Sequence, residues 1–250
     1  MRFFIAIVTI LISLNAFNMN DSDWQSIETE DGLKLRMFEP EKLESQSLPL
    51  IVFLHGSGER GEDNQKQLTH IAPLLSSDSI QLKYPSILLF PQCPQEDYWA
   101  PIDIVEGQWL TKTADQPTES LNKLIRFLEG YIESGKVDKS RIYMAGLSMG
   151  GFGTWDILSR KPEWFAAGIP ICGGGDTTKV NRYSHIPIWT FHGSEDNVVP
   201  VELTRNTVEA LRRYNAPIKY TEFEDVDHHS WYLAIEYPGL LEWLFEQKKH

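Results

Sequence analysis

The stretch Arg141-Ile-Tyr-Met-Ala-Gly146-Leu-Ser148-Met-Gly150-Gly151-Phe-Gly153 decides how the rest of the chain is read. It opens as a short apolar run of the kind expected of a buried parallel strand, then breaks at Gly146-Leu147-Ser148-Met149-Gly150, a Gly-x-Ser-x-Gly pentapeptide. Helical composition follows from Phe152 to Lys161. A strand, a sharp turn and a helix hold a serine clear of its own backbone, because a residue at a strained turn has its side chain pushed outward. The flanking glycines leave room for a neighbouring strand and helix. The pentapeptide alone also fits an ordinary glycine-rich turn, so its meaning depends on whether the chain supplies a base, an acid and an oxyanion hole.

Towards the N-terminus, Leu50-Ile-Val-Phe-Leu54 is a solid apolar run, as in a strand covered on both faces. It stops at His55-Gly56-Ser57-Gly58-Glu59-Arg60-Gly61, a loop whose backbone N–H groups could face a developing negative charge. Glu59 and Arg60 read as a solvated ion pair. Trp24 to Glu28 and Leu33 to Phe38 read as strands joined by Glu30-Asp31-Gly32. A helix is expected from Gln65 to Leu75 and a strand from Ser86 to Phe90, ending in Pro91-Gln92-Cys93-Pro94. From Gln95 to Ala114 the composition turns irregular, with Tyr98, Trp99 and Trp109 among polar residues. These aromatics either wall a binding cleft or pin a long loop to the body. Leu121, Leu124, Ile125, Leu128 and Ile132 place an amphipathic helix over Thr118 to Glu133.

Towards the C-terminus, strands are expected at Phe165 to Cys172, Ile186 to Phe191 and Lys219 to Glu224, with a helix from Val201 to Tyr214. The second of these strands ends in His192-Gly193-Ser194-Glu195-Asp196-Asn197, and the third runs into Asp225-Val226-Asp227-His228-His229-Ser230-Trp231. Two short helices close the chain. Solid strands alternating with helices imply an α/β domain with a mostly parallel sheet wrapped on both faces. The short connection from Cys172 to Ile186 leaves no room there for a large lid.

Phe3 to Leu14 is an apolar segment behind Arg2, which reads as a secretory signal peptide over residues 1–18 and implies export to the periplasm or the medium. Residues 19–250 then form one catalytic domain, a length that supports a sizeable core. The net charge of −12 argues against nucleic acid and anionic membrane surfaces as partners. No stable membrane association is expected once the leader is gone, and oligomeric state is not readable. Cys93 and Cys172 end separate strands and need not pair.

A serine hydroxyl is a weak nucleophile unless an imidazole takes its proton, and that imidazole needs a carboxylate to fix its tautomer. Where such an elbow occurs, the chain order is Ser, acid, His. Asp196, with Glu195 as neighbour and competitor, follows a strand beyond Ser148, and His228 or His229 follows the last strand. Leu54-His55-Gly56-Ser57-Gly58, the elbow, His192-Gly193-Ser194-Glu195-Asp196 and His228-His229-Ser230-Trp231 together resemble the α/β-hydrolase superfamily. Gly58-Glu59-Arg60-Gly61, Pro91-Gln92-Cys93-Pro94 and Pro170-Ile171-Cys172-Gly173-Gly174-Gly175 resemble a narrower group. Those are exported esterases of the polyhydroxybutyrate depolymerase, feruloyl and acetyl-xylan esterase type, often grouped with predicted peptidases of the prolyl-oligopeptidase kind.

The resemblance implies Ser148 as nucleophile, Asp196 as acid and His228 as base, the base standing two residues before the Ser230-Trp231 pair. Asp227 stands where such proteins commonly carry Gly, which leaves His229 open as an alternative. The implied oxyanion donors are the N–H groups of Met149 and Ser57. The expected reaction is hydrolysis of a carboxylic ester on a small molecule or oligosaccharide through an acyl-enzyme, with no metal or organic cofactor needed. Trp99, Trp109 and Trp231 are candidates for stacking on sugar or aromatic groups. A serine peptidase, and a non-catalytic binding module on the same fold, are the alternatives.

Overall fold

The computed structural model describes residues 23–40, 47–111 and 114–249. The leader expected at residues 1–18 lies outside them. In chain order the elements are β1 (Trp24–Glu28), β2 (Lys34–Phe38), β3 (Leu48–Leu54), α1 (Ala72–Leu75), α2 (Asp78–Lys83), β4 (Ile87–Gln92), β5 (Ile102–Val105) and β6 (Gln108–Thr111). They continue with α3 (Glu119–Ile132), β7 (Val137–Leu147), α4 (Met149–Arg160), β8 (Ala167–Ile171), β9 (Ile188–Gly193), α5 (Val201–Arg212), β10 (Ile218–Phe223), α6 (Trp231–Ile235) and α7 (Leu240–Glu246).

Eight strands form one sheet in the order β1-β2-β4-β3-β7-β8-β9-β10. β1 and β2 are an antiparallel pair at one edge, and β4 through β10 run parallel. The apolar runs look unbroken because successive residues feed two different cores. On β3, Leu50, Val52 and Leu54 enter one core while Ile51 and Phe53 enter the other. On β7, Ile142 and Met144 face the first, Tyr143, Ala145 and Leu147 the second. The first core is closed by α3, α4 and α5, the second by α1, α6 and α7. Thr118 caps α3, accepting at Oγ1 from the Leu121 N–H, and Leu121, Leu124, Ile125, Leu128 and Ile132 are its buried stripe.

Three expectations are revised. The helix expected from Gln65 to Leu75 is two pieces, a 3-10 turn at Lys66–Leu68 and then α1. The Asp63 carboxylate draws the Gln65 and Lys66 N–H groups into a local cap, and Pro73 in the first turn of α1 has no N–H to continue an earlier helix. The irregular segment from Gln95 to Ala114 contains the β5–β6 hairpin, turned at Glu106 and Gly107, both with positive φ. Its aromatics hold it to the body: Trp99 is fully buried, and Trp109 stacks on Phe152 and meets Tyr98 edge-on.

Glu59 and Arg60, finally, do not form the ion pair expected of them. Arg60 donates to the carbonyls of Ser57, Gln95 and Asp97 and lies 4.8 Å over the Tyr98 ring, tying two loops together. Glu59 meets His70 instead.

Candidate active site

β7 lies inside the sheet between β3 and β8, so a residue at its C-terminal end stands among the loops that follow β3, β8, β9 and β10. Ser148 is that residue. Its backbone has φ 52 and ψ −116, a conformation that non-glycine residues rarely hold, and its N–H is anchored to the Ile171 carbonyl at 2.9 Å. Glycine is required on either side. A Cβ on Gly146 would lie 2.3 Å from the Gly150 carbonyl oxygen, and one on Gly150 would lie 2.0 Å from the Leu54 carbonyl oxygen. The spacing of the pentapeptide is therefore set by the contact of α4 with β3 and β7.

Three side chains meet at this edge. His228 Nε2 is 2.9 Å from Ser148 Oγ, and His228 Nδ1 is 2.7 Å from Asp196 Oδ2. Asp196 Oδ1 accepts from the N–H groups of Val198 and Val199, which fixes the carboxylate in its turn. Burial alone would raise the Asp196 carboxyl, but hydrogen bonds from His192 and His228 outweigh it and hold the group well below the usual carboxylate range. The carboxylate accepts only, so His228 carries its proton on Nδ1 and turns an unprotonated Nε2 to the serine. Of the alternatives, Glu195 is exposed, and His229, itself exposed, is held by the neighbouring Asp227 at 3.2 Å.

The sequence reading missed His192. It is fully buried at the end of β9, with Nε2 3.1 Å from Asp196 Oδ2 and 3.0 Å from the Val199 carbonyl, and Nδ1 2.7 Å from Thr204 Oγ1. Asp196 Oδ2 thus lies between two imidazoles. The four-residue spacing from His192 to Asp196 was the available signal, but it becomes a contact only because the loop after β9 folds back.

The backbone expected to face an oxyanion is equally tied down. Met149 opens α4, where the first N–H groups of a helix have no intrahelical acceptor. Across from it, His55 is buried, with Nδ1 2.6 Å from the Gly56 carbonyl and Nε2 accepting the Cys93 N–H at 2.9 Å. Gly56 C=O and Ser57 N–H belong to one planar trans peptide, so holding the carbonyl aims the N–H the opposite way. Burial pushes the His55 imidazole down to about 4, which keeps the neutral tautomer this arrangement needs.

Of the two places open to them, Trp99 and Trp109 take the one that pins the loop to the body. Trp99 is fully buried, its Cβ and ring against Gly153 and its ring 5.4 Å from His55, and Trp109 is buried against Phe152. Neither offers a face for stacking. Trp231 is also buried, but it borders the site, its ring edge-on to His228 at 5.4 Å.

Among the described residues, Cys172, Asp196 and His228 have potential metal-ligand atoms within 4.8 Å of one another. Burial raises the Cys172 thiol and keeps it protonated, and the other two groups are already bonded to each other, so this donor set suits hydrogen bonding better than a metal ion. Cys93 and Cys172 are both free and buried.

A mostly parallel sheet with an elbow after an internal strand, and acid and imidazole on the loops of later strands, is the architecture of an α/β-hydrolase. A family model for phospholipases and carboxylesterases matches residues 37–237, and the chain belongs to that family. A thermostable esterase of known structure is 36% identical, with a TM-score of 0.82 over 91% of this chain and 64% of its own. A bifunctional acetylxylan esterase/xylanase of Neocallimastix patriciarum is 25% identical over 169 residues, 67% of this chain and 22% of that protein. YitV of Bacillus subtilis, a proposed esterase, is 22% identical over 244 residues, 80% of this chain and 91% of its own length. The chain thus spans less than two thirds of the thermostable esterase and about a fifth of the xylan-degrading protein.

Proposed function

We propose that the chain is a serine esterase in which Ser148 is the nucleophile, His228 the general base and Asp196 the carboxylate that orients and stabilises the imidazole. The observation that carries this reading is the unbroken relay from Asp196 Oδ2 through His228 to Ser148 Oγ, at 2.7 and 2.9 Å, ending on a serine held in a strained backbone conformation. Ser148 Oγ attacks the ester carbonyl carbon as its proton passes to His228 Nε2. The carbonyl oxygen becomes an oxyanion facing the N–H groups of Met149 and Ser57, each worth about 3 kcal/mol to the barrier. His228 returns the proton to the departing alcohol, and water repeats the sequence on the acyl-enzyme to release the acid.

The substrate proposed is an acylated carbohydrate or a fragment of one, and the place of action outside the cytoplasm. The xylan-ester relative supports the first, and the apolar segment behind Arg2 supports the second. Among the described residues, no helix is long and apolar enough to cross a membrane. The test compares initial rates on p-nitrophenyl acetate for the native chain and Ser148→Ala. A rate well above buffer that vanishes in the variant is expected. Equal, fast rates in both would remove Ser148 from the chemistry.

A further inference from the structure

A second relay adjoins the first. His70, from the segment before α1, has Nε2 3.1 Å from Glu59 Oε1 and Nδ1 2.9 Å from the hydroxyl of Tyr232 on α6. Burial works against ionisation of Glu59, but the hydrogen bond from His70 outweighs it and holds the carboxyl below its ordinary value. The carboxylate only accepts, so Nε2 carries the ring proton, and Nδ1 of the neutral ring accepts from Tyr232. The Tyr232 proton is thereby committed inward. Its oxygen keeps lone pairs free to accept, and the residue is 49% exposed.

The position of this relay follows from two contacts. A Cβ placed on Gly56 would lie 3.1 Å from Glu59 Oε2 and 3.7 Å from Ser148 Cβ, so carboxylate and serine flank the same point of the oxyanion loop. At the other end, Trp231 packs between His70, at 5.6 Å, and His228, at 5.4 Å. The leaving oxygen of an ester must come within hydrogen-bond reach of His228 Nε2, so the alcohol portion of the substrate extends to the His228 side of Ser148. On that side His228 meets Trp231, and the Trp231 ring is in turn 5.6 Å from the Tyr232 ring.

We propose that Tyr232, oriented by His70 and Glu59, is a hydroxyl-recognising subsite that accepts a hydrogen bond from a sugar hydroxyl beyond the scissile ester. This rests on the reading of Ser148 and His228 given above. It explains why an exposed tyrosine at the rim is wired to a carboxylate through an imidazole. An acceptor-only oxygen selects substrates that bring a donor, and an alcohol without hydroxyls gains nothing from it.

The experiment measures kcat/KM for mono-O-acetylated xylotriose and for p-nitrophenyl acetate, whose alcohol lacks a donor, in the native chain and in Tyr232→Phe. The ratio of the two values is expected to fall about tenfold in the variant, chiefly through a higher KM for the sugar ester, as for one lost hydrogen bond. An unchanged ratio, with both substrates turned over by the native chain, overturns the subsite and leaves the esterase reading intact. Turnover of p-nitrophenyl acetate without any turnover of the sugar ester overturns the carbohydrate reading, and the subsite with it. Activity that survives Ser148→Ala overturns the placement of the alcohol beside His228, and so this proposal also.

Discussion

Replacing His55 with leucine tests the proposed oxyanion loop apart from the proposed nucleophile. Leucine occupies much of the imidazole's volume but leaves the Cys93 N–H and the Gly56 carbonyl without their partners. A buried polar group left unpaired costs about 1–3 kcal/mol, so stability should fall by about 3 kcal/mol, which a domain of ordinary stability survives. The freed Gly56–Ser57 peptide can then turn, taking its N–H off the position of the oxyanion. Loss of one such donor costs about 100-fold or more in kcat, with KM nearly unchanged because the interaction belongs to the transition state.

The assay is kcat and KM on p-nitrophenyl acetate beside urea unfolding at pH 7, 5.5 and 4. In the native chain, burial lowers His55 to about 4, whereas an unfolded histidine titrates near 6.5. Below pH 6.5 the unfolded chain binds a proton that the folded chain refuses. The contribution of His55 is therefore fully present above 6.5 and fades as pH falls towards 4, by about 3 kcal/mol. His55→Leu should lack that part of the acid sensitivity. A folded variant with kcat within about threefold of the native value and the same acid sensitivity would refute the argument.

Other expectations follow from the same geometry. Asp196→Asn should lower kcat by about 10⁴-fold at pH 7, since an amide in contact with His228 Nδ1 no longer enforces the productive tautomer; a loss under tenfold on p-nitrophenyl acetate would count against Asp196 as the triad acid. His228→Ala should abolish turnover, whereas His229→Ala, at an exposed residue paired with Asp227, should stay within about twofold, and the reverse pattern in steady-state rates would exchange their roles. Trp99→Ala should destabilise the fold by about 3–5 kcal/mol in chemical unfolding, because its side chain is wholly buried; a normal midpoint with a raised KM would restore it as a substrate platform.

What could be read from the sequence was what depends on local pattern. β3 and β7 were legible because a strand covered on both faces must be apolar at every position, and Ser148 because Gly146 and Gly150 admit no Cβ. The order Ser148, Asp196, His228 was legible because successive parallel strands deliver their loops to one edge. The β5–β6 hairpin was missed because its turn, Glu106-Gly107, lacks the Asn or Asp that usually announces such a turn. Trp99, Trp109 and Trp231 looked like platforms because composition cannot distinguish an aromatic that faces water from one that pins a loop. His70 and Tyr232 are 162 residues apart and meet only through the packing of α6 beside the oxyanion loop, so no local spacing could have paired them.

The strained backbone at Ser148 bears on how such a protein drifts. A non-glycine residue held there costs on the order of 1–3 kcal/mol, and glycine would relieve most of it. A lineage released from the need to hydrolyse esters could become sturdier by losing the nucleophile in a single step. On the reading of Ser148 as nucleophile proposed above, function and stability pull this position in opposite directions.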